Sequence, residues 1–381
     1  DKNIYRFGYR SLANNSVAYT EKPDAMSFLR EWTSLAESGS GERGIFNRQA
    51  ATKQAAKNGR RDPNYEWGCN PCSEILLRGP KIDKNGQPIT GTGGQFCNLS
   101  EVVIRATDTK KDLLRKVRIA TILGTVQSTY TKFPYLRKIW SKNTAEERLL
   151  GVSLTGIMDN ELTNGKKGDL PALLEELKQC AIDTNKEWAD RLGIEVSTAI
   201  SCCKPSGTVS QLTDSSSGIH ARHSPYYIRT VRGDNKDPLT EFMISQGIPN
   251  EPEVSKPTQT TVFSFPIKAP ENSVVTADMS AIDQLNMWLI YQRHWCEHKP
   301  SVTVNIKSNE WMEVGAFVYE HFDEMSGVSF LPFFEHTYRQ APYQDCDKET
   351  YDAMLAQMPS AIDWKKLSEF ETEDATKSSQ N

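Results

Sequence analysis

In a chain of 381 residues, no apolar run approaches the roughly 20 residues that a membrane-spanning helix needs. No internal repeat and no low-complexity segment is present. Neither sign of charge dominates. Lys and Arg total 45, Asp and Glu total 49, and the net charge is -4. That balance gives no electrostatic case for binding nucleic acid or a membrane surface. Cysteine is sparse. Eight residues (69, 72, 97, 180, 202, 203, 296 and 346) are spread along a long chain. They do not form the dense framework of a small secreted domain, and they read as mostly reduced thiols in a cytoplasmic protein. The Gly-x4-Gly-Lys spacing of a P-loop is missing. So is a secretory signal at the start. The chain opens on Asp1 without an initiator Met and closes in a polar stretch, 371–381, which suggests a fragment or a processed product.

What is present is the composition of a folded, soluble protein: 38% hydrophobic and 25% charged, with Trp, Tyr and Phe well represented. The length fits one large α/β domain. Residues 1–20 read as irregular. Helical spacing appears over 26–37, 111–130 and 145–160. It appears again over about 20 residues after Asp169, with Asp169 as N-cap and Pro171 in the first turn. Residues 58–66 read as a polar loop and 74–77 as a short strand. Gly79-Pro80, Asn85-Gly86 and Gly93-Gly94 mark 78–95 as a surface hairpin or insertion. Residues 96–104 read as a buried strand. Further on, strands are expected at 199–203, 226–231, 261–267, 302–306 and 328–331. Helices are expected at 237–246, 279–298 and 309–322. This alternation predicts an α/β architecture with a largely parallel sheet or barrel.

Four groups of residues carry chemistry. Asn70-Pro71-Cys72-Ser73-Glu74 places an amide, a thiol and a carboxyl at alternate positions. If extended, all three share one face, about 7 Å apart. A thiol there suits redox or radical work between a hydrogen-bonding amide and a proton acceptor. Taken alone, it also suits a loop cysteine with incidental neighbours. Cys97, in Phe96-Cys97-Asn98-Leu99, is by itself an ordinary buried cysteine. The turn containing Pro205, Ser206, Gly207, Thr208 and Val209 follows an apolar strand and leads into a helix start. That suits a phosphate group as well as a plain turn. Residues 215–223, with His220, Arg222 and His223, form a polar pocket or a solvated loop, and they lack the companions of a metal site. Cys69-x-x-Cys72 matches a redox pair in spacing only, since it does not open a helix after a strand.

Taken in order, these pieces resemble the large catalytic chain of ribonucleotide reductases, and within that family the monomeric, adenosylcobalamin-dependent class II enzymes. The residues that carry the resemblance begin with Ser38-Gly39-Ser40-Gly41-Glu42-Arg43-Gly44-Ile45-Phe46-Asn47-Arg48 and Asn70-Pro71-Cys72-Ser73-Glu74-Ile75. Phe96-Cys97-Asn98-Leu99, Pro205-Ser206-Gly207-Thr208-Val209-Ser210-Gln211-Leu212 and Ser217-Gly218-Ile219-His220 follow, and Gln340-Ala341-Pro342-Tyr343 extends it.

The resemblance implies part of a ten-stranded α/β barrel with a radical cysteine on an internal finger loop. Residues 1–381 would be the C-terminal portion of that catalytic domain. It implies reduction of ribonucleotides to deoxyribonucleotides, with Cys72 as the thiyl radical, Glu74 as general base, Asn70 on the sugar hydroxyls and Cys97 in the reducing pair. Residues 205–209 would hold the substrate phosphates. The second reducing cysteine should lie upstream of Cys72, where only the unsuitable Cys69 occurs. An upstream half or split partner chain and a downstream cysteine pair served by a thioredoxin-type reductant are therefore expected. Tyr338 and Tyr343 are separated, and Tyr226-Tyr227 lie elsewhere. This favours adenosylcobalamin over the alternative of a class I chain with a di-metal radical subunit. A non-radical, phosphate-binding thiol enzyme with an activated Cys72 is the other alternative, and a non-catalytic half that only binds its partner is a third.

Overall fold

Every residue of the strand Leu150–Thr155 is buried. A strand covered on both faces is what a parallel sheet between helices requires. Here the expectation of one helix over 145–160 is corrected. The helix Lys138–Glu147 ends at Arg148, whose φ of 45° is left-handed and whose N–H donates to the Thr144 carbonyl. The apolar run that follows is too short for its pattern to separate helix from strand, and burial on both faces decides for strand.

The structure is a computed structural model that describes residues 15–39, 43–333 and 339–371. Ser40-Gly41-Glu42 of the first motif, Tyr338 and 372–381 lie outside the described residues. Two compact units are present, Asp1–Arg222 with Glu271–Phe333, and His223–Pro270 with Phe334–Asn381.

In the first unit, Leu150–Thr155 pairs in parallel with Asn98–Val103. A parallel bridge from Val152 to Ser201 and another from Cys203 to Pro300 carry the run onward. Residues 199–203 thus contribute bridges rather than the full strand expected. Thr303–Ile306 then pairs in parallel with Gly327–Pro332. Beyond that strand the direction reverses. Arg43–Asn47 is antiparallel to it, and Asn15–Tyr19 is parallel to Arg43–Asn47.

Helices Lys110–Gln127 and Leu170–Leu192 pack on each other, and the first also packs on Leu150–Thr155. A Thr109–Asp112 capping box starts the first, and Asp169 caps the second with Pro in the first turn. Their apolar faces join Leu150, Val152, Leu154, Ile200 and Trp295 in one core. A second core gathers Trp32, Trp288, Val304 and Phe330 around helices Ala25–Ser38, Ala281–His294 and Trp311–Glu320. The polar loop expected over 58–66 ends two residues early, where the strand Tyr65–Cys69 begins, antiparallel to Leu76–Ile82. The latter pairs with Pro88–Ile89 across the Asn85-Gly86 turn, as the hairpin reading required.

The second unit is a four-stranded antiparallel sheet in the order Tyr343–Asp345, Tyr226–Asp234, Thr260–Lys268, Asn250–Pro252. Its two long strands fall where expected but do not join the parallel run. Strand direction is a property of pairing, which residue patterning does not encode. The Tyr227 and Tyr343 rings come within 5.9 Å of each other, and the Arg229 guanidinium lies 4.4 Å from the Tyr343 ring centroid. Separation in sequence therefore did not mean separation in space. Among the described residues, no helix is long and apolar enough to cross a membrane.

Candidate active site

Cys72 lies in the loop 70–75 that joins Tyr65–Cys69 to Leu76–Ile82. Asn70 builds the loop. Its carbonyl accepts from Ser73 N–H at 2.8 Å, its N–H donates to the Ile75 carbonyl at 3.3 Å, and its side-chain Oδ1 accepts from Ile75 N–H at 3.0 Å. Pro71 fixes φ at the second position of the turn. Ser73 then adopts a φ of +66°, a left-handed conformation that costs a side-chain-bearing residue about 1 kcal/mol or more.

That turn corrects the expectation of one extended face. Alternation of side chains holds only along extended backbone, and Ser73 breaks it. Asn70 and Cys72 line a cavity, and Cys72 is exposed. Glu74 is fully buried, and neither of its carboxyl oxygens has a hydrogen bond among the described residues.

The segment 298–301 fastens the loop at successive points. Ser301 Oγ donates to the Cys72 carbonyl at 2.6 Å. Lys299 Nζ donates to Ser73 Oγ at 2.9 Å and to the Ser73 carbonyl. Lys299 N–H donates to the Glu74 carbonyl at 3.3 Å. His298 Nδ1 accepts from Leu76 N–H at 3.3 Å, while its Nε2 donates to the Leu150 carbonyl at 2.8 Å. Sequence reasoning missed all of these residues. The available signal was the polar Glu297-His298-Lys299-Pro300-Ser301 run directly before the expected strand 302–306, since polar groups carried into a core need partners.

Burial is the first influence on each titratable group here. It lowers the Lys299 ammonium to about 8, against the opposing pull of Cys69 and Glu74. It lowers His298 to about 3, reinforced by Arg61. Burial and then the Glu74 charge push the Cys72 thiol up, with Lys204 opposing. The same two influences push Cys97 up to about 12, with Arg61 opposing. Glu74 therefore acts electrostatically on both thiols. Cys97 itself is half-buried just before Asn98–Val103 and does not line the cavity.

The cavity measures about 1020 Å³, and Ser301, Gly327, Val328 and Ser329 also line it. Pro205 reaches it as well, which brings the turn 205–209 to the Cys72 loop. Ser206 is buried, while Gly207 and Thr208 are exposed before a single helical turn, Val209–Leu212. Among the described residues, no backbone hydrogen bond takes up the N–H groups of Gly207, Thr208 or Val209. The neighbouring Glu101 carboxyl is pushed up by burial, partly offset by the Ser206 hydroxyl and Lys204. Gly218, at a φ of +52°, packs so close to the Lys204 carbonyl that a Cβ would collide with it.

The loop 215–223 is largely packed, not solvated. Arg222 grips Asp159 through two hydrogen bonds of 2.9 Å. Half-buried His220 donates from Nδ1 to the Ser217 carbonyl at 2.8 Å and accepts Thr303 N–H at Nε2. His223 instead faces Asp345 at 3.1 Å. Among the described residues, no group of three or more His, Cys, Asp or Glu is arranged to hold a metal ion.

No protein-family model matches the chain. Curated proteins do. An adenosylcobalamin-dependent ribonucleoside-triphosphate reductase of Lacticaseibacillus paracasei is 28% identical over 95% of this chain and 49% of its own length. Proteins of the same name from Lactobacillus gasseri and Euglena gracilis are 27% and 25% identical, over 92% and 95% of the chain. The chain spans about half the length of these relatives. A crystal structure of a B12-dependent, class II ribonucleotide reductase superposes with a TM-score of 0.79 at 22% identity, over 98% of this chain and 53% of the other. The resemblance carried by the motifs is thus borne out across nearly the whole sequence, and the shared fold is mixed α/β.

Proposed function

We propose that this chain carries the radical thiol of a ribonucleotide reductase and reduces ribonucleotides to 2′-deoxyribonucleotides when completed by further polypeptide. One observation carries the reading. Cys72 stands exposed on the wall of a 1020 Å³ cavity, beside a buried carboxylate and within reach of the Pro205 turn, in a chain matched almost end to end by curated reductases.

Cys72 Sγ takes the 3′ hydrogen atom of the ribose, and the Glu74 carboxylate, which in this structure is buried behind the turn and off the cavity wall, accepts the proton of the 3′-hydroxyl once the loop turns it toward the sugar. Asn70 uses its Oδ1 to hold the turn, which leaves its NH2 group to donate to the sugar hydroxyls. Replacing the 2′-hydroxyl by hydrogen, with loss of water, takes two protons and two electrons; both protons come from the reducing dithiol, and Cys72 returns its hydrogen atom to the 3′ carbon. Cys97 and a second thiol supply the electrons as they become a disulfide, and the raised pKa of Cys97 keeps it a proton-bearing thiol until then. Substrate phosphates sit on residues 205–209, where backbone N–H groups are available. A sulfur radical needs a site closed to bulk water, and since Cys72 is exposed here, the completing polypeptide and the bound substrate supply that closure.

Adenosylcobalamin is the cofactor named for the curated relatives. An exposed Cys72 thiol beside a large cavity fits its use. When bound, it supplies the unpaired electron, and the chain supplies the reachable thiol. The rival reading of Cys72 as an ordinary nucleophile needs a depressed thiol pKa, whereas its surroundings push it up.

In the same reading, the parallel run that reverses at Gly327–Pro332 belongs to a ten-stranded α/β barrel, and the loop 70–75 is its finger. Residues 1–381 are its C-terminal portion. An upstream half or partner chain provides the second reducing cysteine, and a thioredoxin-type dithiol renews the pair. All eight cysteines are free, as a reducing cytoplasmic compartment would keep them. The test is reconstitution with an upstream reductase half, adenosylcobalamin and a dithiol. Deoxyribonucleotide should form, and a well-folded reconstituted enzyme that forms none would overturn the proposal.

A further inference from the structure

We propose that Lys299 is the positioning residue of the Cys72 loop: its buried ammonium grips both oxygens of Ser73 and holds that residue in the left-handed turn that separates an exposed Cys72 from a buried Glu74. The proposal rests on the reductase reading only for what Cys72 does. The grip itself stands on geometry.

Lys299 is among the largest fully buried side chains of the protein. A lysine is almost never buried without partners. Its Nζ finds them in the Ser73 carbonyl and hydroxyl. Ser73 is also the residue with the unfavourable φ, and left-handed backbone in a serine persists only where surrounding contacts impose it.

The site is shaped for this contact. Gly327 lies against it, and a Cβ there would come within 3.1 Å of Lys299 Nζ and 3.2 Å of Ser73 Oγ. The titratable groups that act on Nζ are the Glu74 carboxyl in the loop, the Cys69 thiol on the strand leading into it, and the Cys296 thiol on its own segment. The Glu74 carboxyl has no hydrogen bond among the described residues, and the Lys299 ammonium is a buried positive charge that acts with it. The Lys299 main chain adds its own tie to the Glu74 carbonyl. One residue thereby fixes the loop at Ser73 and at Glu74, on either side of the point where the chain changes direction.

Hydrogen exchange on the full chain tests this without any need for turnover, so a failed reductase reading and a failed grip give different results. In Lys299→Met, amides of 70–76 should exchange at least about tenfold faster, while those of Leu150–Thr155 stay within about twofold. The second variant is Lys299→Met with Ser73→Gly. Glycine adopts the left-handed turn without a steric penalty, so protection of 70–76 should return. A residue that merely filled space would not be rescued in this way. Unchanged exchange of 70–76 in Lys299→Met overturns the proposal. So does a uniform rise across the first unit that Ser73→Gly fails to reverse.

Discussion

Arg61 and Glu147 form a fully buried two-point ion pair, with Nε to Oε1 at 2.9 Å and Nη2 to Oε2 at 2.8 Å. The same guanidinium donates to the Leu76 carbonyl at 3.0 Å, just after the Cys72 loop, and stacks over Trp67 just before it. Gln95 and the Arg78 guanidinium, whose Nε lies 3.3 Å from Oε2, are the carboxylate's further partners. The pair thus ties the base of the hairpin to the helix Lys138–Glu147. Removing one partner strands a buried charge. Arg61→Met or Glu147→Gln should destabilise the protein by about 3–5 kcal/mol in urea unfolding. A loss below about 1 kcal/mol would show that the pair is dispensable.

Acidification should unfold the protein in two stages. Burial of neutral His298 lowers its folded pKa from 6.5 to about 3. The unfolded chain therefore binds the proton first, and stability falls as pH drops below about 6.5. Burial pushes the Glu147 carboxyl up, but Arg61 and then Arg78 and Gln95 outweigh it, so its folded value is lowered. Its contribution is present above the unfolded value of 4.5 and is lost as pH falls through the folded one. Urea midpoints between pH 7 and pH 4 check this, and His298→Gln should flatten the upper stage.

Replacing the buried carboxylate tests its reach. Glu74→Gln removes a charge that raises both the Cys72 and Cys97 thiols. Peptide-mapped alkylation at pH 8 should then be faster at Cys72 by a factor of a few. An unchanged rate would mean that the carboxylate does not act on the thiol.

Cys72→Ala separates chemistry from folding. Cys72 is exposed, and the turn is held by backbone atoms and the side chains of Asn70, Lys299 and Ser301 without its thiol, so stability should change by no more than about 0.5 kcal/mol. Deoxyribonucleotide formation by the reconstituted enzyme should vanish. Residual turnover would remove Cys72 from the mechanism.

Gly218→Ala should displace the 204–208 turn, because its Cβ would meet the Lys204 carbonyl and its φ is left-handed. The expected cost is about 1–3 kcal/mol in thermal unfolding, together with weaker ribonucleotide binding.

The sequence by itself determined the α/β class and most helix limits, and it singled out the motif residues proposed for the site but not the segment 298–301 that fastens them. Local signals suffice for these: Asp169 and Thr109 cap their helices through neighbours a few residues away. Four motifs in one order also sufficed for the resemblance. Only the tertiary structure decided how the site is arranged. Whether Asn70, Cys72 and Glu74 share a face depends on Ser73, and its left-handed backbone is held by Lys299, 226 residues later in the chain. Whether 226–234 joins the parallel run or a separate antiparallel sheet depends on which strands it meets. A run such as 150–155 is strand rather than helix because both its faces are covered. Contacts between residues far apart in sequence leave no local pattern, and these contacts place the exposed thiol and the buried carboxylate on opposite sides of one turn.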